Sequence, residues 1–89
     1  MLSGHFEESA VYLRASIETV KVIYGADSIE TGNELQKLSE ILISAQDWPE
    51  ALTATQEALH VFTLHYGKGH DKTKELIAAS KQLMEIVGK

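Results

Sequence analysis

The feature that most constrains this chain is a repeat inside it. Tyr24-Gly25 recurs as Tyr66-Gly67, 42 residues later. Reading backward from that pair, Ile17 matches Leu59, Val20 matches Phe62 and Val22 matches Leu64 at the same spacing. Reading forward, the spacing falls to 41, as if one residue were lost in the second turn: Glu34 matches Glu75, Leu35 matches Leu76, Ser39 matches Ser80 and Leu42 matches Leu83. A unit of about 40 residues that occurs twice is the mark of a helix-pair array. The competing arrangement is a plain four-helix bundle in which the similarity is chance.

Periodicity supplies the helices. Phe6, Ala10, Leu13, Ile17, Val20 and Tyr24 are spaced by three or four, which makes one apolar stripe on a helix from about His5 to Tyr24. Gly25 follows where a helix commonly ends in a left-handed residue. A second helix starts after Asp27, read as its N-cap with Glu30 three residues on, and carries Leu35, Leu38, Leu42 and Ala45 with Ile41 alongside. Asp47 and Glu50 repeat that signature before a third helix, with Pro49 in its first turn, where the missing N–H costs nothing. That helix carries Ala51, Ala54, Ala58, Val61 and Phe62 and ends at Tyr66-Gly67. A fourth starts near Asp71 with Leu76, Ala79, Leu83 and Val87. No segment alternates with the two-residue period of a strand. The expectation is an all-α fold of four helices, arranged as antiparallel helix-turn-helix repeats. The first and third helices are one element of the repeat, the second and fourth the other. The 89 residues suffice for one small domain, 1–89, and no more.

Composition narrows the function classes. The net charge is −5 and only eight Lys and Arg are spread along the chain, so it lacks the clustered cations that phosphate backbones require. Nucleic acid is not an expected partner. No apolar run approaches membrane-spanning length, and no basic-then-apolar leader opens the sequence. Without cysteine there is no disulfide, no thiolate nucleophile and no cysteine-ligated zinc. A reducing compartment suits this; cytoplasm, and also nucleus, is the expected location.

The second and third helices resemble one tetratricopeptide repeat. Leu35, Leu38, Ser39 and Leu42 fit the family's first helix, large apolar residues with a small one where the helices touch; Trp48, Ala51 and Ala58 fit the second. Small side chains allow two antiparallel helices to interlock closely. Thr55 departs from the pattern, standing where the family usually buries a large residue. The turns "YGADSIETG" and "YGKGHDKTK" are similar to those of the long repeats in kinesin light chains and in the carboxy-terminal region of SET-and-MYND-domain lysine methyltransferases. The run "LRASIETVKVIYGADSIETGNELQKLSEIL", followed by "WPEALTATQEAL", looks most like the tetratricopeptide-rich fourth branch of that second family. In such proteins the SET and MYND domains carry catalysis, cofactor and zinc, and none of their motifs is among these residues. The chain opens in the second helix of one repeat and closes in the first helix of another, as a fragment of a longer array would.

Candidate chemistry is sparse. His60, His65 and His70 are spaced by five, whereas helical metal ligands need three or four to share a face. Glu7 with Glu8, and Asp47 with Glu50, read as surface or capping carboxylates rather than an acid–base pair, which needs burial or a partner. No nucleophile-elbow motif is present. Neither a catalytic residue, a cofactor nor a metal is expected, and the chain by itself reads as a non-enzyme. What remains is a surface. The resemblance implies that the first helix of each pair lines a concave groove, formed here by Asn33, Gln36, Glu40, Ile43 and Ser44 and then by Lys74, Ile77, Lys81, Met84 and Glu85. Some relatives clamp a terminal carboxylate at such positions; Gln36 and Glu40 stand there instead, and Glu40 would repel it. The expected partner is a protein or peptide, or a neighbouring domain of a longer chain. Weak self-association is expected through apolar residues of the end helices: Phe6, Val11, Leu13 and Ile17 at one end, Ile77, Leu83, Met84 and Val87 at the other.

Overall fold

A computed structural model describes residues 3–88, with side-chain surroundings given for 6–88. Four helices follow in order: α1, Ser3–Tyr24; α2, Ile29–Ser44; α3, Trp48–Tyr66; and α4, Asp71–Val87. Each packs on its neighbour in sequence, α1 on α2, α2 on α3 and α3 on α4, and among the described residues no other pair of helices packs backbone to backbone. The molecule is a slab of 38 × 32 × 18 Å, the thin dimension matching about two helix diameters. In a closed bundle α1 would return to α4; here it does not, so the internal repeat is a structural one.

The closest packing is between α2 and α3. Gly32 faces Val61 and Phe62, and a Cβ added to it would stand 2.7 Å from Val61 Cγ1 and 2.9 Å from Phe62 Cε1. Ala51 and Ala58 on α3 have no exposed surface at all, and Ser39 on α2 is buried. Small residues thus line the crossing from both sides. Around it sits one core: Ala10, Leu13 and Ile17 of α1, Leu35, Leu38 and Leu42 of α2, Val61 and Phe62 of α3, Leu76 and Leu83 of α4. Trp48 packs half-buried against it. Thr55 is fully buried, and its hydroxyl is without a hydrogen-bond partner.

The buried positions of α2 and α4 keep the 41-residue spacing: Gly32, Leu35, Ser39 and Leu42 against Thr73, Leu76, Ser80 and Leu83. The two turns are nevertheless equal in length. Gly25 and Gly67 both have positive φ, +98° and +82°, and the carbonyl of each accepts from the amide three residues on, at Ser28 and His70. The missing residue is therefore not in the turn; α4 begins one residue later relative to its buried face than α2 does.

The caps differ from the sequence expectation. Ser28, not Asp27, caps α2, its Oγ accepting from the Thr31 amide at 3.1 Å. Thr31 in turn donates from Oγ1 to the Gly25 carbonyl at 2.8 Å. Asp47 occupies the N-cap position of α3 but its side chain makes no capping bond, and Glu50 instead pairs with Arg14 of α1 at 3.0 Å. On α4 the cap is His70, whose Nδ1 accepts from the Lys72 amide at 3.1 Å while its ring stacks on Tyr66 with centroids 4.5 Å apart.

Two sets of variants test this packing. Ala58→Leu should cost about 1–3 kcal/mol, because the helices must separate. Gly32→Ala should also destabilise even though alanine favours helix by about 1 kcal/mol, since its methyl meets buried groups that cannot yield. Thr55→Val should instead raise stability by about 1 kcal/mol by removing an unpaired buried hydroxyl. Urea unfolding measures all three, and an unchanged midpoint for Ala58→Leu would show the crossing to be misplaced. For the α4 cap, His70→Ala should lose about 1 kcal/mol, whereas His70→Asp should keep the cap and stay close to the parent. Equal loss in both variants would assign the contribution of His70 to its stacking alone.

Candidate contact groove

Among the described helices the backbone of α1 packs on α2 alone, with one ion pair from Arg14 to Glu50 of α3, and much of its remaining surface is open. Two contiguous depressions run along it, one lined by Ser9, Tyr12, Leu13 and Ile41 and the other by Val20, Tyr24, Asn33 and Gln36, with Lys37 and Glu40 shared between them. From Ser9 to Tyr24 the groove is about 22 Å long at the helical rise, enough for four turns of a docked helix. Tyr12 is 77% exposed and Tyr24 57%. Apolar area of this kind, rimmed by charge, is a common sign of a contact surface.

The groove is acidic. Glu8, Glu30, Glu34 and Glu40 line it, against Lys37 and, at the end nearest α4, Lys72. Lys37 is bound to Glu34 at 3.1 Å. Among the described residues Glu8, Glu30 and Glu40 have no ion-pair partner, leaving a net negative field in a chain already at −5.

Of the groove positions read from sequence, Asn33, Gln36 and Glu40 line this groove, and Val20 and Tyr24 of α1 join them. The other seven do not line it. Ile43 is half-buried against the core and Ser44 is exposed at the end of α2. On α4, Lys74, Lys81, Met84 and Glu85 are exposed and Ile77 is half-buried. Those five share an outward stripe on α4 that is separate from the groove. The end-helix residues divide as well: Leu13, Ile17 and Leu83 are already buried inside the chain, and Val11, Met84 and Val87 remain exposed. The lining from α1 is not legible in the sequence, because it depends on how α1 lies against α2, which periodicity does not report.

Histidines 60 and 65 both reach Asp27 in the α1–α2 turn. His65 Nε2 donates to the Asp27 carbonyl at 2.7 Å and His60 Nε2 lies 3.5 Å from its carboxylate. They hold that turn against α3. His70 is elsewhere, as the α4 cap, and among the described residues no three His, Asp or Glu side chains come together to hold a metal ion. No described helix is long and apolar enough to cross a membrane.

No family model matches the chain, and no solved structure does. Curated relatives do match. The chain is 36% identical over 83 residues to human protein-lysine N-methyltransferase SMYD4, which spans 93% of this chain and 10% of that protein. Its identity to the chicken protein of the same name is 34% over 93% of this chain and 11% of the relative. A clustered mitochondria protein homolog of Mycosarcoma maydis is 39% identical over 70 residues, 79% of this chain and 5% of that protein. The chain thus spans about a tenth of the length of the SMYD4 relatives it matches. Over nearly all of its length it is a helical-repeat segment related in sequence to the SET-and-MYND protein-lysine methyltransferase SMYD4.

Proposed function

We propose that this chain is a non-catalytic protein-contact module of tetratricopeptide type, and that the α1–α2 groove is its contact surface. The observation that carries the reading is the groove itself: a long, acidic trough walled by Tyr12 and Tyr24 on the exposed face of α1 and α2. Its ligand is a protein segment rich in Lys or Arg with an apolar stripe. Tyr12, Val20 and Ile41 take the apolar side chains, and Glu8, Glu30 and Glu40 the cations. Charges at the rim set approach and selectivity, and the aromatic walls contribute most of the affinity. A carboxylate-terminated acidic peptide is disfavoured by Glu40.

A second reading rests on the similarity to SMYD4. There the segment is a structural part of a protein-lysine methyltransferase and shapes access to an active site formed elsewhere in the protein. The two readings differ in what the groove meets: a separate partner in the first, the remainder of a methyltransferase in the second.

Binding to an array of 15-residue peptides tests the contact reading. Retained peptides should be basic and amphipathic, and Glu40→Lys should abolish their retention without altering the fold. An array that retains nothing, or retains peptides indifferent to Glu40→Lys, would remove the groove as a peptide site. The non-catalytic reading has its own test. Incubated with S-adenosylmethionine and protein substrates, the purified chain should transfer no methyl group, and robust turnover would overturn it.

A further inference from the structure

The two Tyr-Gly turns share their length and their backbone bond, yet their caps differ in chemistry. Ser28 and His70 stand at the same place in the repeat, 42 residues apart. Ser28 Oγ accepts from the Thr31 amide at 3.1 Å, and a hydroxyl does so whatever the pH near neutrality. His70 Nδ1 accepts from the Lys72 amide at 3.1 Å. An imidazole nitrogen accepts only while it holds a lone pair, so this bond requires the neutral ring with its proton on Nε2.

The first turn has further ties. Thr31 Oγ1 donates to the Gly25 carbonyl, and His65 donates to the Asp27 carbonyl with His60 beside the Asp27 carboxylate. Protonation leaves the His65 bond in place and adds charge to the His60–Asp27 pair. The second turn has Gly69 where Asp27 stands, and Thr73 bonds away from the turn, to the Phe62 carbonyl of α3. His70 is exposed to solvent, and α4 packs on α3 alone. The group that α3 presents to the ring is Tyr66, stacked at 4.5 Å. The Lys72 ammonium lies 5.9 Å from the Tyr66 centroid, and Lys68 and Asp71 flank His70 along the chain. Among the described residues no carboxylate pairs with the His70 ring. The positive end of the α4 dipole also opposes a cation at the cap. We propose that His70 is a pH-sensitive cap: its protonation breaks the bond to the Lys72 amide and loosens the first turn of α4, while the α1–α2 turn stays closed. The bond exists above the imidazole titration range, about pH 6.5, so its contribution to stability is lost as pH falls through that range.

Urea unfolding of the full chain and of His70→Ser, each from about pH 8 to about pH 5, tests it. The ratio of the two folding constants cancels the titration of His60, His65 and the carboxylates. Over that range the parent should lose about fivefold relative to His70→Ser, the usual size of a lost cap. Amide resonances of the nitrogen-labelled chain supply a local readout. The Lys72 amide should move upfield on acidification as its hydrogen bond is lost, and the Thr31 amide should stay where it is. A ratio that does not change with pH, or a Lys72 amide that keeps its hydrogen bond at the acid end, overturns the proposal.

Discussion

Gly32 lying against Val61 and Phe62 is the contact on which the remaining architecture depends. With no Cβ on one side and two fully buried side chains on the other, α2 and α3 approach more closely than ordinary side chains permit. Ala51, Ala58 and Ser39 extend the same small-residue seam along the crossing. Close approach places α3 in the middle of the slab, covered by α2 and by α4. Each helix then buries an apolar stripe against a sequence neighbour, and the chain has no reason to close into a ring. Small side chains at the crossing trade side-chain burial for backbone proximity, a balance that favours the array only because the leucines around it fill the flanks.

The turns make the seam reproducible. Each Tyr-Gly ends a helix with a positive-φ glycine, and each glycine carbonyl is taken by the residue that starts the next helix. The α2–α3 turn solves the same problem differently. Gln46 stands at φ 62°, and the amides of Gln46 and Asp47 bond back to Ile43 and Leu42, the paired closure typical of a left-handed helix end. A residue with a side chain held there stores some strain, so this turn depends more than the others on the packing around it.

Periodicity is local, and what is local was readable. The four helices, the Tyr-Gly ends and the small residues of the seam all follow from spacings within a few turns of chain. Caps were less readable, since a cap depends on the single residue at which the backbone changes direction; Ser28 and Asp27 are adjacent, and both are good capping types. Asp27 was free to meet His60 and His65 because α3 passes beside it, a fact of three dimensions. The candidate groove is partly legible for the same reason. Asn33, Gln36 and Glu40 share one helix face, which their spacing shows, whereas Tyr12, Val20 and Tyr24 line the same depressions from α1, which spacing alone does not report. Thr55, out of step with the repeat pattern, is also the residue with an unpaired buried hydroxyl, so the one sequence anomaly marks a real cost.

An open array and a closed bundle bury similar residues but bring different ones together. In the array, the open side of α1 leaves an acidic groove between α1 and α2, a feature that a closed bundle would not have. Nuclear Overhauser contacts in a methyl-labelled sample separate the two arrangements directly. The array predicts strong contacts from the Val61 methyls to the Gly32 α-protons, and none linking Leu13 or Ile17 of α1 to Leu76 or Leu83 of α4 within one chain. Contacts between α1 and α4, with Val61 silent towards Gly32, would contradict it.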